Sequence, residues 1–151
     1  MTQAELYKAV KPDLSALAGP LFVQSEKLLR ERGDFLPHAA VLNSEGKVSM
    51  MGAMSGSPGA FANSWHILPM LYEGLRSLAQ ERMLTAVGIA ERVDTIPGSG
   101  AVRAVKVLLE HREGLTIAFF MPFRREDSGD YTFGKMQTLF TESEVNAWNQ
   151  G

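Results

Sequence analysis

Ala104-Val105-Lys106-Val107-Leu108-Leu109-Glu110-His111-Arg112-Glu113-Gly114-Leu115-Thr116-Ile117-Ala118-Phe119-Phe120-Met121-Pro122-Phe123 is the stretch that decides the fold. In its first half Val105, Val107 and Leu109 share one side, with Lys106 and Glu110 on the other. In its second half Leu115, Ile117, Phe119, Met121 and Phe123 fall on one side. Alternation at a period of two is the signature of a strand. The charged turn Glu110-His111-Arg112-Glu113-Gly114 is too short for a parallel return, so the two runs pair antiparallel. The segment thus predicts an antiparallel sheet with one face buried.

Working outward, Thr85 to Val93 reads as another strand, linked by Ile96-Pro97-Gly98-Ser99-Gly100. Tyr131 to Phe140 reads as a last strand beyond the polar loop Arg124 to Asp130. Upstream, Ala39 to Leu42 and Lys47 to Met54 flank the turn Asn43-Ser44-Glu45-Gly46, the pattern of a hairpin with glycine supplying the positive backbone angle. A first helix is expected from Thr2, whose spacing to Glu5 is that of a capping box, to Arg32, bending near Pro12 and Gly19-Pro20. Leu14, Leu17, Leu21 and Leu28 form its apolar stripe, and Gly33 follows where a left-handed cap belongs. The Gly/Ser break at Ser55 to Gly59 leads through Phe61 to a second helix from Ser64 to Arg82, provided that Pro69 falls in its first turn. Thr141 and Glu144 repeat the capping-box spacing and predict a short terminal helix carrying Trp148.

The expectation is a single α+β domain over residues 1–151: one antiparallel sheet of five or six strands in the order αββαβββ(β)α, with the two long helices packed on one face. At 151 residues the chain buries roughly two thirds of its unfolded surface. Its 45% hydrophobic and 21% charged residues are those of an ordinary globular protein. The order also occurs in profilin-like and roadblock-like sheets, an analogy of fold that assigns no function.

Composition narrows the chemistry. A net charge of -2 without a basic stripe disfavours nucleic-acid binding. Zero cysteines exclude thiolate nucleophiles, disulfides and cysteine-ligated metals. No signal peptide is visible at Met1-Thr2-Gln3-Ala4-Glu5, and Ile117 to Phe123 is far shorter than the roughly 20 residues that span a bilayer. A cytoplasmic protein without membrane association is therefore expected. His38, His66 and His111 lack the spacing of a local zinc motif, so no metal is expected. Gly46-Lys47 and Gly134-Lys135 lack the following Ser/Thr of a phosphate loop, and Arg103 replaces the last glycine of a dinucleotide fingerprint begun at Gly98. No cofactor is expected. Gly52 to Gly56 is one residue off a nucleophile elbow. Glu110 and Glu113 read as solvated turn carboxylates, and Arg124-Arg125 beside Glu126-Asp127 as a self-neutralising loop.

Pro37-His38-Ala39-Ala40-Val41-Leu42 with Glu45-Gly46-Lys47-Val48, and Leu109-Glu110-His111-Arg112-Glu113-Gly114, resemble small uncharacterised bacterial α+β proteins. Those carry a Pro-x-x-Ala-Val-Leu…Gly hairpin and a later Glu-His-Arg-x-Gly hairpin. The likeness spans about the middle two thirds of the chain. It implies a bacterial origin and the α+β order, and transfers no activity or functional residue.

With both helices on one face, Leu108, Ala118 and Phe120 are expected on an exposed apolar sheet face. The leading expectation is a non-enzymatic interaction protein, adaptor or immunity-type, using those residues to form a homodimer or bind a protein partner. The alternative is a small-molecule binding or sensing domain, its pocket between sheet and second helix near His38, Trp65 and His66, with Met51 and Met54 nearby. A third, weaker reading is an enzyme with His38 or His111 as general base.

Overall fold

A computed structural model describes residues 1–52 and 64–148, and of residues 64–66 the backbone alone. The expected Gly/Ser break, Met54 and Phe61 lie outside the described residues. The elements run α1 (Gln3–Arg32), β1 (His38–Asn43), β2 (Val48–Gly52), α2 (Ser64–Glu81), β3 (Leu84–Val93), β4 (Ala104–His111), β5 (Leu115–Arg125), β6 (Tyr131–Phe133) and β7 (Gln137–Phe140). The α+β class with a single antiparallel sheet is as the sequence predicts. Among the described residues the sheet has seven strands in the order β2-β1-β3-β4-β5-β6, with β7 also on β5.

α1 begins where Thr2 Oγ1 accepts the Glu5 amide at 3.1 Å and ends at Gly33, whose φ of 77° is the left-handed cap. Its buried stripe is Val10, Leu14, Leu17, Leu21, Ser25 and Leu29. Pro12 and Pro20 sit inside the helix on its exposed side, away from the core packing that holds it together. α2 likewise continues through Pro69, which is solvent-exposed and lies beyond the first turn. Its buried residues Ile67, Leu71 and Leu75 recur every fourth position and fix it to the sheet.

The layering corrects one expectation. α1 packs with Ala40, Leu42, Ala86, Ala90, Val105, Val107, Leu109 and Ile117, whereas Ile67, Leu71 and Leu75 of α2 pack with Val41, Val87, Ile89, Leu108, Ala118 and Phe120. Those two sets alternate along the same strands, so the helices cover opposite faces of the sheet. The cause is visible in the strands themselves: Val87, Ile89, Leu108, Ala118 and Phe120 make the second face apolar as well. Central strands of that kind need cover on both sides.

The end of the chain differs as well. The expected last strand splits into β6, paired with Phe123 to Arg125, and β7, paired with Ile117 to Phe120. The interruption lies opposite Pro122, which has no amide to donate; its carbonyl accepts the Gly134 amide at 2.8 Å. No terminal helix forms over residues 141–148. The Thr141 hydroxyl is buried with no hydrogen-bond partner among the described residues, so the capping box is not made. The amides of Glu144, Val145 and Asn146 instead bond to the Glu110 carboxylate at 2.8, 2.7 and 3.3 Å. This places Val145 and Ala147 in the core under α2.

Candidate functional site

Among the described residues, the end of α1 at the Gly33 cap borders an open region against β5 and β6. There a cleft of about 740 Å³ is lined by Arg92, Arg103, Phe123, Arg125, Tyr131 and Phe133, among others. The register explains their convergence. Residues 105 and 107 of β4 and 117 of β5 point toward α1, and continuing the alternation brings Arg103, Phe123 and Arg125 to the same side. Arg103 lies opposite Phe123, whose amide bonds to the Arg103 carbonyl at 3.0 Å. Phe123 in turn lies opposite Phe133, and Arg125 opposite Tyr131. Thus one cross-strand row reads Arg103, Phe123, Phe133, and the next outward reads Arg125, Tyr131.

The rings are half-buried and tilted. Phe123 lies 6.0 Å from Tyr131 at 54° and 6.5 Å from Phe133 at 50°. The guanidinium of Arg30, from the last turn of α1, sits 5.5 Å from the Phe133 ring centroid, a cation–π contact. Two of the cleft arginines are neutralised locally. Arg92 approaches Asp34 at 3.5 Å and Asp94 at 3.9 Å, and Arg124 pairs with Glu126 at 2.9 Å. Glu126 also accepts from the Thr132 hydroxyl, and this bond, then those from Arg124, hold its carboxyl below the usual carboxylate range. Arg103 and Arg125 differ: among the described residues neither side chain makes an ion pair or a hydrogen bond. Arg124 and Arg125 are thus not one self-neutralising loop. They end β5 and both line the cleft, Arg124 paired with Glu126 and Arg125 on the opposite side of the strand without an ion partner among the described residues.

The residues singled out from sequence lie elsewhere. His38 is on the α1 face, with Ala40 and Leu42, and not on the α2 side where a pocket was expected. It is buried, edge-on to Phe35 at 5.5 Å, with Nδ1 donating to the Leu36 carbonyl at 3.2 Å and Nε2 3.4 Å from Ser25 Oγ. Ser25 itself is fully buried, and its hydroxyl donates to the Leu21 carbonyl at 2.8 Å. This is a core histidine whose pKa burial pushes down, against the Leu36 and Leu21 carbonyls that favour the charged ring. It borders a groove of about 430 Å³ with Leu28, Phe35, Leu36, Met50 and Met51. Trp65 and His66 open α2, and their side chains lie outside the described residues. His111 Nδ1 accepts the Glu113 amide and Nε2 donates to Asp13 at 2.9 Å, so neither nitrogen is left to act as a base.

Leu108, Ala118 and Phe120 are 3%, 0% and 5% exposed. The expected open sheet face is covered by α2 and the chain end, where Arg76 donates to the Val145 carbonyl at 3.0 Å and the Tyr72 hydroxyl donates to Glu144 at 3.0 Å. Lys106 lies inside this layer, 2.8 Å from Glu144 and 3.7 Å from Glu91. Burial raises the Tyr72 and Glu91 pKa values, aided at both by the Glu144 charge. No group of three metal-ligating side chains occurs among the described residues, and none of the described helices is long and apolar enough to cross a membrane. Compared with family models, curated proteins and solved structures, the chain gives no significant match.

The cleft residues carried little sequence signal because they are far apart in the chain and match no motif. The one available signal was the period-two alternation, which puts 121, 123 and 125 on one side when continued beyond Phe123.

Proposed function

We propose that this protein is a non-enzymatic binding domain whose site is the arginine-lined cleft at the open end of the sheet, and whose ligands are small anions carrying an apolar or aromatic body. The observation that supports the reading is the pair Arg103 and Arg125, without ion partners among the described residues, beside the half-buried rings of Phe123 and Tyr131. A guanidinium presents a planar fork of donors that suits carboxylate and phosphate oxygens. Rings beside it supply the apolar contact area that ligand sites use. The cleft volume of about 740 Å³ falls in the range of small-molecule pockets. Recognition through Leu108, Ala118 and Phe120 would require α2 to leave its face of the sheet, which their burial disfavours.

The test is thermal denaturation with millimolar aromatic carboxylates, sulfonates and phosphates, on the wild type and on the R103Q/R125Q variant. A ligand that binds only the folded chain raises its midpoint. At least one of the anions should do so in the wild type and none in the variant. A wild type whose midpoint none of them moves would overturn the reading.

A further inference from the structure

Resting on that reading of the cleft, we infer that its ligand class is a single aromatic heterocycle joined to a phosphate, the chemistry that a nucleoside 5′-monophosphate presents. Three features of the cleft carry this. Arg103, immediately before β4, and Arg125, the last residue of β5, are one register step apart, because Arg103 lies opposite Phe123 and Arg125 is two residues further along β5. Diagonal neighbours on one face of a sheet are about 7–8 Å apart, within reach of long side chains. Two arginine side chains at that spacing are long enough to reach one tetrahedral oxyanion, and their two charges match a phosphate dianion. A monocarboxylate leaves one of them unneutralised.

The ring wall sets the second half of the ligand. The Phe133 ring is engaged by Arg30, so Phe123 and Tyr131 are the rings left to face a ligand. These two are tilted by 54°, so a flat heterocycle stacks on one of them and meets the edge of the other. A strand of nucleic acid needs a succession of stacking platforms along a basic track. Tilts of 50° and 54° between neighbouring rings break any such platform, and Arg92 and Arg124 are already held by Asp34, Asp94 and Glu126, which leaves two arginines and not a basic track. One ring and one phosphate is what the cleft accommodates.

The experiment is calorimetric titration of the full chain with AMP, UMP, adenosine, inorganic phosphate, benzoate and octauridylate. AMP or UMP should bind with one-to-one stoichiometry, with adenosine, phosphate and benzoate each at least about tenfold weaker, the loss expected when a charged hydrogen-bonding group or a stacked ring is removed. The R125Q variant, at an exposed position, should weaken AMP about tenfold and leave adenosine unchanged. The Y131L variant should weaken AMP and adenosine alike and leave phosphate unchanged. Phosphate or benzoate binding as tightly as AMP would overturn the inference and leave the cleft as a general anion site. Octauridylate binding far more tightly than UMP would overturn it in favour of single-stranded nucleic acid. No binding of AMP or UMP, while another anion still raises the thermal midpoint, would overturn the inference alone. Failure of every probe in both experiments would remove the binding reading as well.

Discussion

Glu110 Oε2 accepts the backbone amide of Val145 at 2.7 Å, tying the chain end to the last residues of β4. The carboxylate is 3% exposed and also takes the Ser143 hydroxyl at 2.5 Å and the amides of Glu144 and Asn146. It does for this irregular segment what a helix would otherwise do for its own amides. Because Val145 and Ala147 are core residues of the α2 face, the bond set secures the cover over Leu108 and Phe120.

Removing that acceptor leaves several amides to find water in a buried place. The Glu110→Ala variant should therefore lose about 3 kcal/mol of stability, measured by urea denaturation. It should also admit faster amide exchange at Val145 than at Val107. Stability unchanged within about 0.5 kcal/mol, the range of ordinary surface substitutions, would show that the chain end is not held by Glu110.

Phe120 and Leu139 separate core from surface on the same part of the sheet. Phe120 is 5% exposed and packs in the α2 layer, while Leu139 on β7 is 42% exposed. Phe120→Ala should cost about 3–5 kcal/mol by loss of buried area and creation of a cavity. Leu139→Ala should change stability by less than about 0.5 kcal/mol. Comparable denaturation midpoints for the two variants would mean that α2 does not cover Phe120 in solution.

His38 gives a pH dependence with a definite sign. Burial lowers its pKa beneath the ordinary 6.5, outweighing the Leu36 and Leu21 carbonyls that favour the charged ring. The unfolded chain therefore takes up a proton at pH values where the folded chain refuses it. Folding stability contributed by this group is present above pH 6.5 and is lost as the pH falls below it toward the depressed folded value. Denaturation measured from pH 7.5 downward should show this slope in the wild type and a shallower one in His38→Gln. Parallel profiles would mean that the ring titrates as it does in the unfolded chain.

Much of this architecture could be read from residue patterns, and the failures have physical causes. The cap at Gly33, the hairpin turn at Gly46 and the alternation through β4 and β5 are local properties, set by backbone angles and side-chain period. Placement of α2 was not legible in the same way. Period two places Leu108 and Phe120 opposite Val107 and Phe119, but it does not say which helix covers which side. The decisive clue was that both sides are apolar. Residues 141–148 misled because the capping-box spacing competes with a buried carboxylate more than thirty positions upstream, at Glu110. The cleft is not legible for a related reason: Arg103, Arg125 and Tyr131 become neighbours only through strand register, and Arg125 adjoins acidic residues in sequence while its side chain belongs to the face of its own strand.

Backbone amide chemical shifts report ligand contact residue by residue, and they test the location of the site without assuming the ligand. In a titration of the labelled chain with AMP, and separately with benzoate, the largest changes should fall at Arg103, Phe123, Arg125, Tyr131 and Phe133. The cleft would be contradicted if those amides stayed still with both compounds, or if the changes gathered instead around His38 or around Leu108, Ala118 and Phe120.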